Sequence, residues 1–402
     1  LRFPGFEGEW ETRKLGEVVS FKAGYAFKSN YMLSQPSTYQ ILKMSNVYQN
    51  NLRLDRSPSY WFNIDEKLKD FLIKEGDILL TLTGTVGKRD FGYSVQINES
   101  NKFLLNQRLV LLREENEKSI NDFIKQVITT DKFLYHFFNE AKGGTGNQAN
   151  VGVDDIKKIN LNFPKIKEQK KIASFLSLID ERIATQNKII EELKDLIKSV
   201  SEKLFSQKMR FDIFSDNWKV IALGDFLVEQ NVKTKMSNEY RVLSSTTKGL
   251  FYQSEYFNKD IASKDSSGYK ILRRNQLVFS PQNLWLGNIN VNNTFDIGIV
   301  SPSYKVFSFD ESSIIINYFK FLAKTPKMIF EYEQCSEQGA SIVRRSLNME
   351  LFFNITLHIP TIKEQIKISD FLCSIDSKIE IEIQLLQKLE KQKEYLLKKL
   401  FV

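Results

Sequence analysis

Residues 164–205 read PKIKEQKKIASFLSLIDERIATQNKIIEELKDLIKSVSEKLF, and residues 360–401 read PTIKEQIKISDFLCSIDSKIEIEIQLLQKLEKQKEYLLKKLF. Residue n of the first stretch matches residue n+196 of the second without a gap. From Lys167 to Phe205, fourteen of thirty-nine positions are identical. An internal repeat has to be recognised before a fold is assigned, because each copy can be half of one object.

Both copies carry the pattern of a long helix. A proline precedes each, an acidic residue (Glu168 or Glu364) stands in the first turn where it suits the helix dipole, and no Gly or Pro follows. Positions 172, 176, 179, 183, 186, 190, 193, 197, 200 and 204 follow a 4-3 spacing and are apolar except Gln186. The equivalent seam of the second copy runs from Ile368 to Leu400, with Glu382 opposite Gln186 in the alignment and Lys393 as a further polar member. This is the spacing of a coiled-coil seam, and each helix should be roughly 58 Å long at 1.5 Å per residue. The duplication predicts that the two helices pair with each other.

Working outward, a fainter repeat precedes each helix. Arg2-Phe3, Trp10 and Leu15-Gly16 match Arg210-Phe211, Trp218 and Leu223-Gly224 at an offset of 208. The chain therefore reads as a globular unit at 1–162, a helix at 163–208, a second globular unit at 209–358 and a second helix at 359–402. Short β-type runs at 77–81, 108–112 and 276–280, helical stretches at 120–139 and 314–332, and glycine-rich breaks predict α/β (α+β) globular units in two copies. The whole should have internal pseudo-two-fold duplication, with two long antiparallel helices separating the copies.

Composition narrows the class. The 402 residues are 42% hydrophobic and 26% charged, ordinary for a globular protein, and carry a net charge of +8. No run of eighteen apolar residues is present and the start lacks a signal-peptide pattern, so a cytoplasmic location is expected. Two cysteines, Cys335 and Cys373, do not make a disulfide framework or a metal site. Gly84-Thr85-Val86-Gly87-Lys88 is close to a phosphate-binding loop, but Leu82 and Arg89 stand where that motif needs a glycine and a hydroxyl. The two histidines, His136 and His358, read as packing residues. No catalytic or metal motif emerges, and a self-sufficient enzyme would need one.

What remains is recognition chemistry: loops with hydroxyl, amide and basic side chains suited to base edges and phosphates. In the first unit the candidates are Lys43, Ser45, Asn46, Thr83, Thr85, Lys88, Arg89, Thr145, Asn147 and Gln148. In the second they are Ser244, Ser245, Thr246, Lys248, Gln282, Asn283, Trp285, Arg344 and Arg345.

These features resemble the specificity subunits of Type I restriction–modification systems. The resemblance rests on the pattern Pro164, Glu168, Gln169, Ile172, Leu176, Asp180 and Ile183, repeated as Pro360, Glu364, Gln365, Ile368, Leu372, Asp376 and Ile379. Gly76-Asp77-Ile78-Leu79 fits as well, whereas the second unit departs there with Asn275-Gln276-Leu277-Val278. The resemblance implies that each globular unit is a target recognition domain for one half of a bipartite, asymmetric site in double-stranded DNA. It implies that the helices set the spacing and dock two modification subunits through Pro164, Glu168, Gln169, Ile172, Leu176 and Gln186, and through Pro360, Glu364, Gln365, Ile368, Leu372 and Glu382. S-adenosylmethionine would then sit on the adenine-methylating modification subunits, and ATP and Mg on restriction subunits. This chain would bind none of these and would have no activity of its own. A stand-alone coiled-coil DNA-binding regulator would also explain the helices and polar loops, but not the duplication.

Overall fold

A computed structural model describes residues 1–115, 117–143, 146–256, 265–338 and 344–401. The chain divides into two compact units, residues 1–187 with 385–402, and residues 188–384. Each contains parts of both long helices, Ile166–Phe205 and Ile362–Leu400.

The first unit is built on a four-stranded antiparallel sheet in the order Val19–Ala23, Leu109–Glu114, Ile78–Thr81, Ser94–Gln96. The second unit has the same order, Leu227–Gln230, Lys305–Phe309, Leu277–Phe279, Ile289–Val291. The central strands are apolar on both faces, because both faces are covered. Ile78, Leu80, Val110 and Leu112 point to a core shared with helices, whereas Leu79, Leu109 and Leu111 join a separate core on the other side. Leu277, Phe279 and Phe307 against Val278 and Val306 repeat this division in the second unit. Fold class and duplication thus follow the sequence pattern.

The predicted helical stretches 120–139 and 314–332 are each two short helices, Asn121–Val127 with Asp131–Asn139, and Ile316–Leu322 with Pro326–Gln334. A threonine ends the continuity in both. The Thr130 hydroxyl caps the second helix by accepting from the Phe133 N–H, Thr325 does the same for Met328, and Pro326 at the first helical position lacks an N–H to continue the preceding helix.

Each long helix is held where it begins. Glu11–Lys14 pairs with Asn160–Phe163, and Lys219–Ala222 with Thr356–Ile359, so the opening of each unit is strapped to the strand leading into its helix. Beyond the strap, Arg2 donates through Nε and Nη2 to both oxygens of Glu168, at 2.8 and 2.7 Å. Arg210 does the same to Glu364 at the same two distances. Both glutamates are buried, at 2% and 0% exposure. The arginines are held above their usual pKa, first by these hydrogen bonds.

The neighbouring glutamine completes the joint. Gln169 accepts from the Ile120 N–H and donates to the carbonyls of Lys118 and Pro164. Gln365 accepts from the Ile315 N–H and donates to the carbonyls of Ser313 and Pro360. About three turns further along the helix, Asp180 accepts from Gln126 at 3.1 Å and pairs with Lys125, while Asp376 pairs with Lys320 at 2.6 Å.

Within the first unit, Ile172 and Leu176 of the first long helix share a core with Leu396, Leu397 and Leu400 of the second, and Lys393 bonds Asp180. Lys393, an intruder in the predicted seam, is there neutralised. Within the second unit, Ile197, Val200 and Leu204 share a core with Ile368 and Leu372. The start of each helix therefore meets the end of the other, and the two run antiparallel. Gln186 and Glu382 are buried, and Glu382 is ion-paired to Lys378.

Replacing Gln169 or Gln365 by Ala removes the partner of one N–H and two carbonyls in a part-buried joint. Each variant is expected to lose about 1–3 kcal/mol of stability in urea unfolding, with faster hydrogen exchange at the Ile120 or Ile315 amide. Unchanged stability and an equally protected amide would show that the glutamine does not hold the joint.

Candidate DNA interface

In the first unit, strand Thr83–Thr85 pairs with Gln148–Asn150, with Thr85 opposite Gln148. Gly84 must be glycine here: a Cβ would meet the Phe91 ring at 2.3 Å and the Asp90 carboxylate at 2.5 Å. The near-match to a phosphate loop is thus the strand and turn of a small sheet. The Val86 N–H bonds the Asn147 carbonyl at 3.2 Å, and Asn147 adopts a positive φ of 62°, which its side chain tolerates. Thr85, Lys88, Arg89, Asn147 and Gln148 are thereby gathered into one surface, with Lys88, Arg89 and Asn147 exposed. Thr83 is buried and bonds Asn150. Thr85 donates through its N–H and hydroxyl to Asp90, at 2.8 and 2.7 Å. Thr145 lies outside the described residues.

A second loop joins this surface through aromatic residues that no sequence motif marks. The Tyr93 hydroxyl donates to the Arg89 carbonyl, the Tyr93 ring meets Tyr48 edge-on at 5.8 Å, and Arg56 lies 4.2 Å over Tyr48. Tyr48 is 40% exposed, and such a cation-backed ring is a stacking platform for a base. Asn46, singled out as a reader, is fully buried; it accepts from the Lys43 N–H and donates to the carbonyls of Arg53 and Arg56. It shapes the loop that presents Tyr48 and Arg56, and its amide is turned inward. The Lys43 ammonium donates to Ser59 Oγ at 2.8 Å, and burial lowers its pKa. Ser45 stands beside them, partly exposed.

In the second unit the hairpin Leu243–Thr246 with Gly249–Tyr252 carries Ser244, Ser245 and Thr246 on its first strand. Ser244 and Ser245 are buried. Ser245 Oγ donates to Asn288 Oδ1 at 2.7 Å and accepts from Asn290 Nδ2 at 2.8 Å. Asn288 and Asn290 also donate to the Ser245 and Thr246 carbonyls. Gln253 donates to Ser244 Oγ. These residues are the footing of the hairpin, and Lys248, at its turn, is what reaches solvent. The Ser244 and Ser245 hydroxyls, suited by chemistry to base edges, are claimed by neighbouring amides. Lys324 donates to Asn290 Oδ1 at 2.7 Å; burial, then repulsion from Lys320, pushes its pKa down to about 8. A groove of about 830 Å³ opens between this hairpin, the short helix pair and the long helices, with Lys248, Phe251, Lys324 and Glu333 along its walls.

Gln282, Asn283 and Trp285 sit on the turn Pro281–Leu286, which packs against the strand Arg345–Leu347. The Arg345 guanidinium lies 4.2 Å over the Trp285 ring and pairs with Glu333 at 3.0 Å. Gln282 and Arg344 are exposed. This surface occupies the place in the second unit that Thr83–Arg89 and Asn147–Gln148 occupy in the first.

The residues assigned to spacing and partner docking are all buried: Pro164, Glu168, Gln169, Ile172, Leu176 and Gln186, and Pro360, Glu364, Gln365, Ile368, Leu372 and Glu382. They bond and pack within the chain. His136 and His358 are both exposed, not packed as the sequence suggested. Among the described residues, no group of three or more His, Cys, Asp or Glu is placed to hold a metal ion, and no helix is long and apolar enough to cross a membrane.

Residues 7–195, spanning the first globular unit and most of the first long helix, match the family model of the Type I restriction modification DNA specificity domain. This part of the chain carries the domain of that family. The Type I restriction enzyme MjaVIII specificity subunit of Methanocaldococcus jannaschii is 24% identical over 413 residues, covering 96% of this chain and 90% of its own. The HindI specificity subunit of Haemophilus influenzae is 25% identical, covering 46% of this chain and 41% of its own. The crystal structure of the Type I restriction–modification S subunit from M. genitalium superposes with a TM-score of 0.60 at 16% identity, covering 98% of this chain and 96% of that one. The fold, including both copies of the sheet, is thus the fold of a specificity subunit.

Exposed and buried candidates should separate experimentally. Lys88→Ala and Lys248→Ala are each expected to lower the salt dependence of DNA binding by about one unit of slope and leave thermal stability unchanged. Asn290→Ala is expected to lower stability by about 1–3 kcal/mol. A salt slope insensitive to both lysine variants would remove these loops from the DNA contact.

Proposed function

We propose that this chain is the DNA-reading subunit of a Type I restriction–modification complex, with residues 1–162 and 209–358 as its two recognition domains and residues 163–208 and 359–402 as its spacer helices. Each domain reads one half of a bipartite site. The observation that carries this reading is the same scaffold bearing unlike side chains at equivalent places: Thr85, Lys88, Arg89, Asn147 and Gln148 in one unit, Gln282, Trp285, Arg344 and Arg345 in the other. Equivalent surfaces with different chemistry suit an asymmetric target in double-stranded DNA, read partly by stacking on Tyr48 and Trp285 and partly by the basic groups.

The chain supplies the address, and the chemistry belongs to its partners. Two modification subunits would bring S-adenosylmethionine and methylate adenine after flipping it from the stack, since the reacting nitrogen is inaccessible within the duplex. Restriction subunits would bring ATP and Mg. The docking surface for the modification subunits is the outer face of the long helices. Leu178 is 62% exposed, and Ile381 57%, with Leu196, Ile366 and Tyr395 also in solvent. None of these belongs to the 4-3 seam, and apolar side chains repeatedly left in water on a helix mark a protein contact.

Replacing residues 1–162 by the matching domain of a relative should change one half of the methylated sequence and leave the other as it was. Methylome sequencing of a host carrying the complex reads this directly, and a change in both halves would refute modular reading. Leu178→Asp and Ile381→Asp should sharply reduce co-purification with modification subunits, while the stability of the chain stays within about 0.5 kcal/mol. Undiminished co-purification would place the docking surface elsewhere.

A further inference from the structure

Glu168, Gln169 and Asp180 hold the first globular unit to its helix, and Glu364, Gln365 and Asp376 hold the second. The two joints use the same residue types on the same partners, down to the fork of Arg2 or Arg210 and the lysine of the short helix pair. The agreement survives a difference in length: the arginines are 208 residues apart and the glutamates 196. The surrounding loops have diverged, whereas the joint is retained.

A buried ion pair is poor as a source of stability, because apolar residues of similar volume do as well or better. Its strength is direction. The guanidinium fork accepts a carboxylate in one plane, and a glutamine bonded to three backbone groups of two different segments leaves no rotation free. Each joint therefore sets the angle at which a globular unit sits on its own helix.

That angle matters to a protein reading separated half-sites. A unit of about 160 residues is roughly 30 Å across. Rocking it by about 6–7° on its helix moves the far surface by roughly one base-pair step of 3.4 Å. An apolar contact at the joint would allow such sliding, whereas the forked ion pair and the glutamine do not.

We infer that the Arg2–Glu168–Gln169 and Arg210–Glu364–Gln365 joints are positioning elements that make the complex strict about the number of base pairs between its half-sites. The inference rests on the bipartite reading proposed above. The joints touch no base and carry no sequence preference themselves. They convert helix geometry into spacing selectivity.

The test uses the chain assembled with its modification subunits. Duplexes would carry the native half-sites, identified by methylome sequencing, with the intervening gap at its native length and one base pair longer or shorter. The variants are Arg2→Lys, which keeps the charge but loses the fork, and the double variant Arg2→Met with Glu168→Leu, which replaces the pair by apolar groups without leaving a charge buried. The equivalent changes at Arg210 and Glu364 complete the set. The expected result is that the preference for the native gap falls about tenfold in each variant, while a base change inside either half-site still costs as much affinity as in the wild type. An assembled double variant with an undiminished gap preference would overturn the inference and leave the bipartite reading intact. Equal losses of gap preference and half-site discrimination would also overturn it, since the joint would then only support the fold. A wild-type complex indifferent to the gap would overturn the bipartite reading and the inference with it.

Discussion

A carboxylate leaves water only where a cation and hydrogen bonds replace its hydration. Glu168 and Glu364 are nearly inaccessible, and each is satisfied by an arginine more than 150 residues away in sequence. That requirement brings the opening segment of each unit onto the first turn of its long helix. The strand strap, the loop entering the short helix pair and the apolar seam converge on the same point. The rest of each unit depends on it, because the four-stranded sheet packs on a helix whose entry is already fixed.

The motif common to the two helices divides by chemistry. Its apolar members, Ile172 and Leu176 with Ile368 and Leu372, enter the cores of the globular units. Its polar members, Glu, Gln and Asp, make the joints. A pattern that reads as a helix start followed by a coiled-coil seam is thus also the interface between helix and globular unit. This explains why its buried members are occupied within the chain.

On the recognition surfaces, buried polar residues form the footing and exposed ones form the reach. Asn46, Ser244 and Ser245 have the right chemistry for bases, but their groups are claimed by backbone carbonyls and by Asn288 and Asn290. Lys88, Arg89, Lys248 and Arg344 remain outward. The aromatic members depend on ring contacts between segments distant in sequence, Tyr48 with Tyr93 and Trp285 with Arg345.

The sequence by itself determined the duplication, the two long helices, the mixed α/β class and the family. These are carried by local periodicity and by a gapless repeat, both of which survive without knowing any contact. The strand runs at 77–81, 108–112 and 276–280 were legible for the same reason, being apolar on both faces. Only the tertiary structure decided where the helical stretches break, that His136 and His358 face solvent, and which polar residues are bonded inward. It also decided that Glu168 answers Arg2, and Glu364 Arg210. A hydroxyl or amide looks the same in sequence whether a neighbouring strand or the solvent meets it. Burial and hydrogen bonding at these positions depend on which segments the fold brings together, and the hydrophobic periodicity does not encode them.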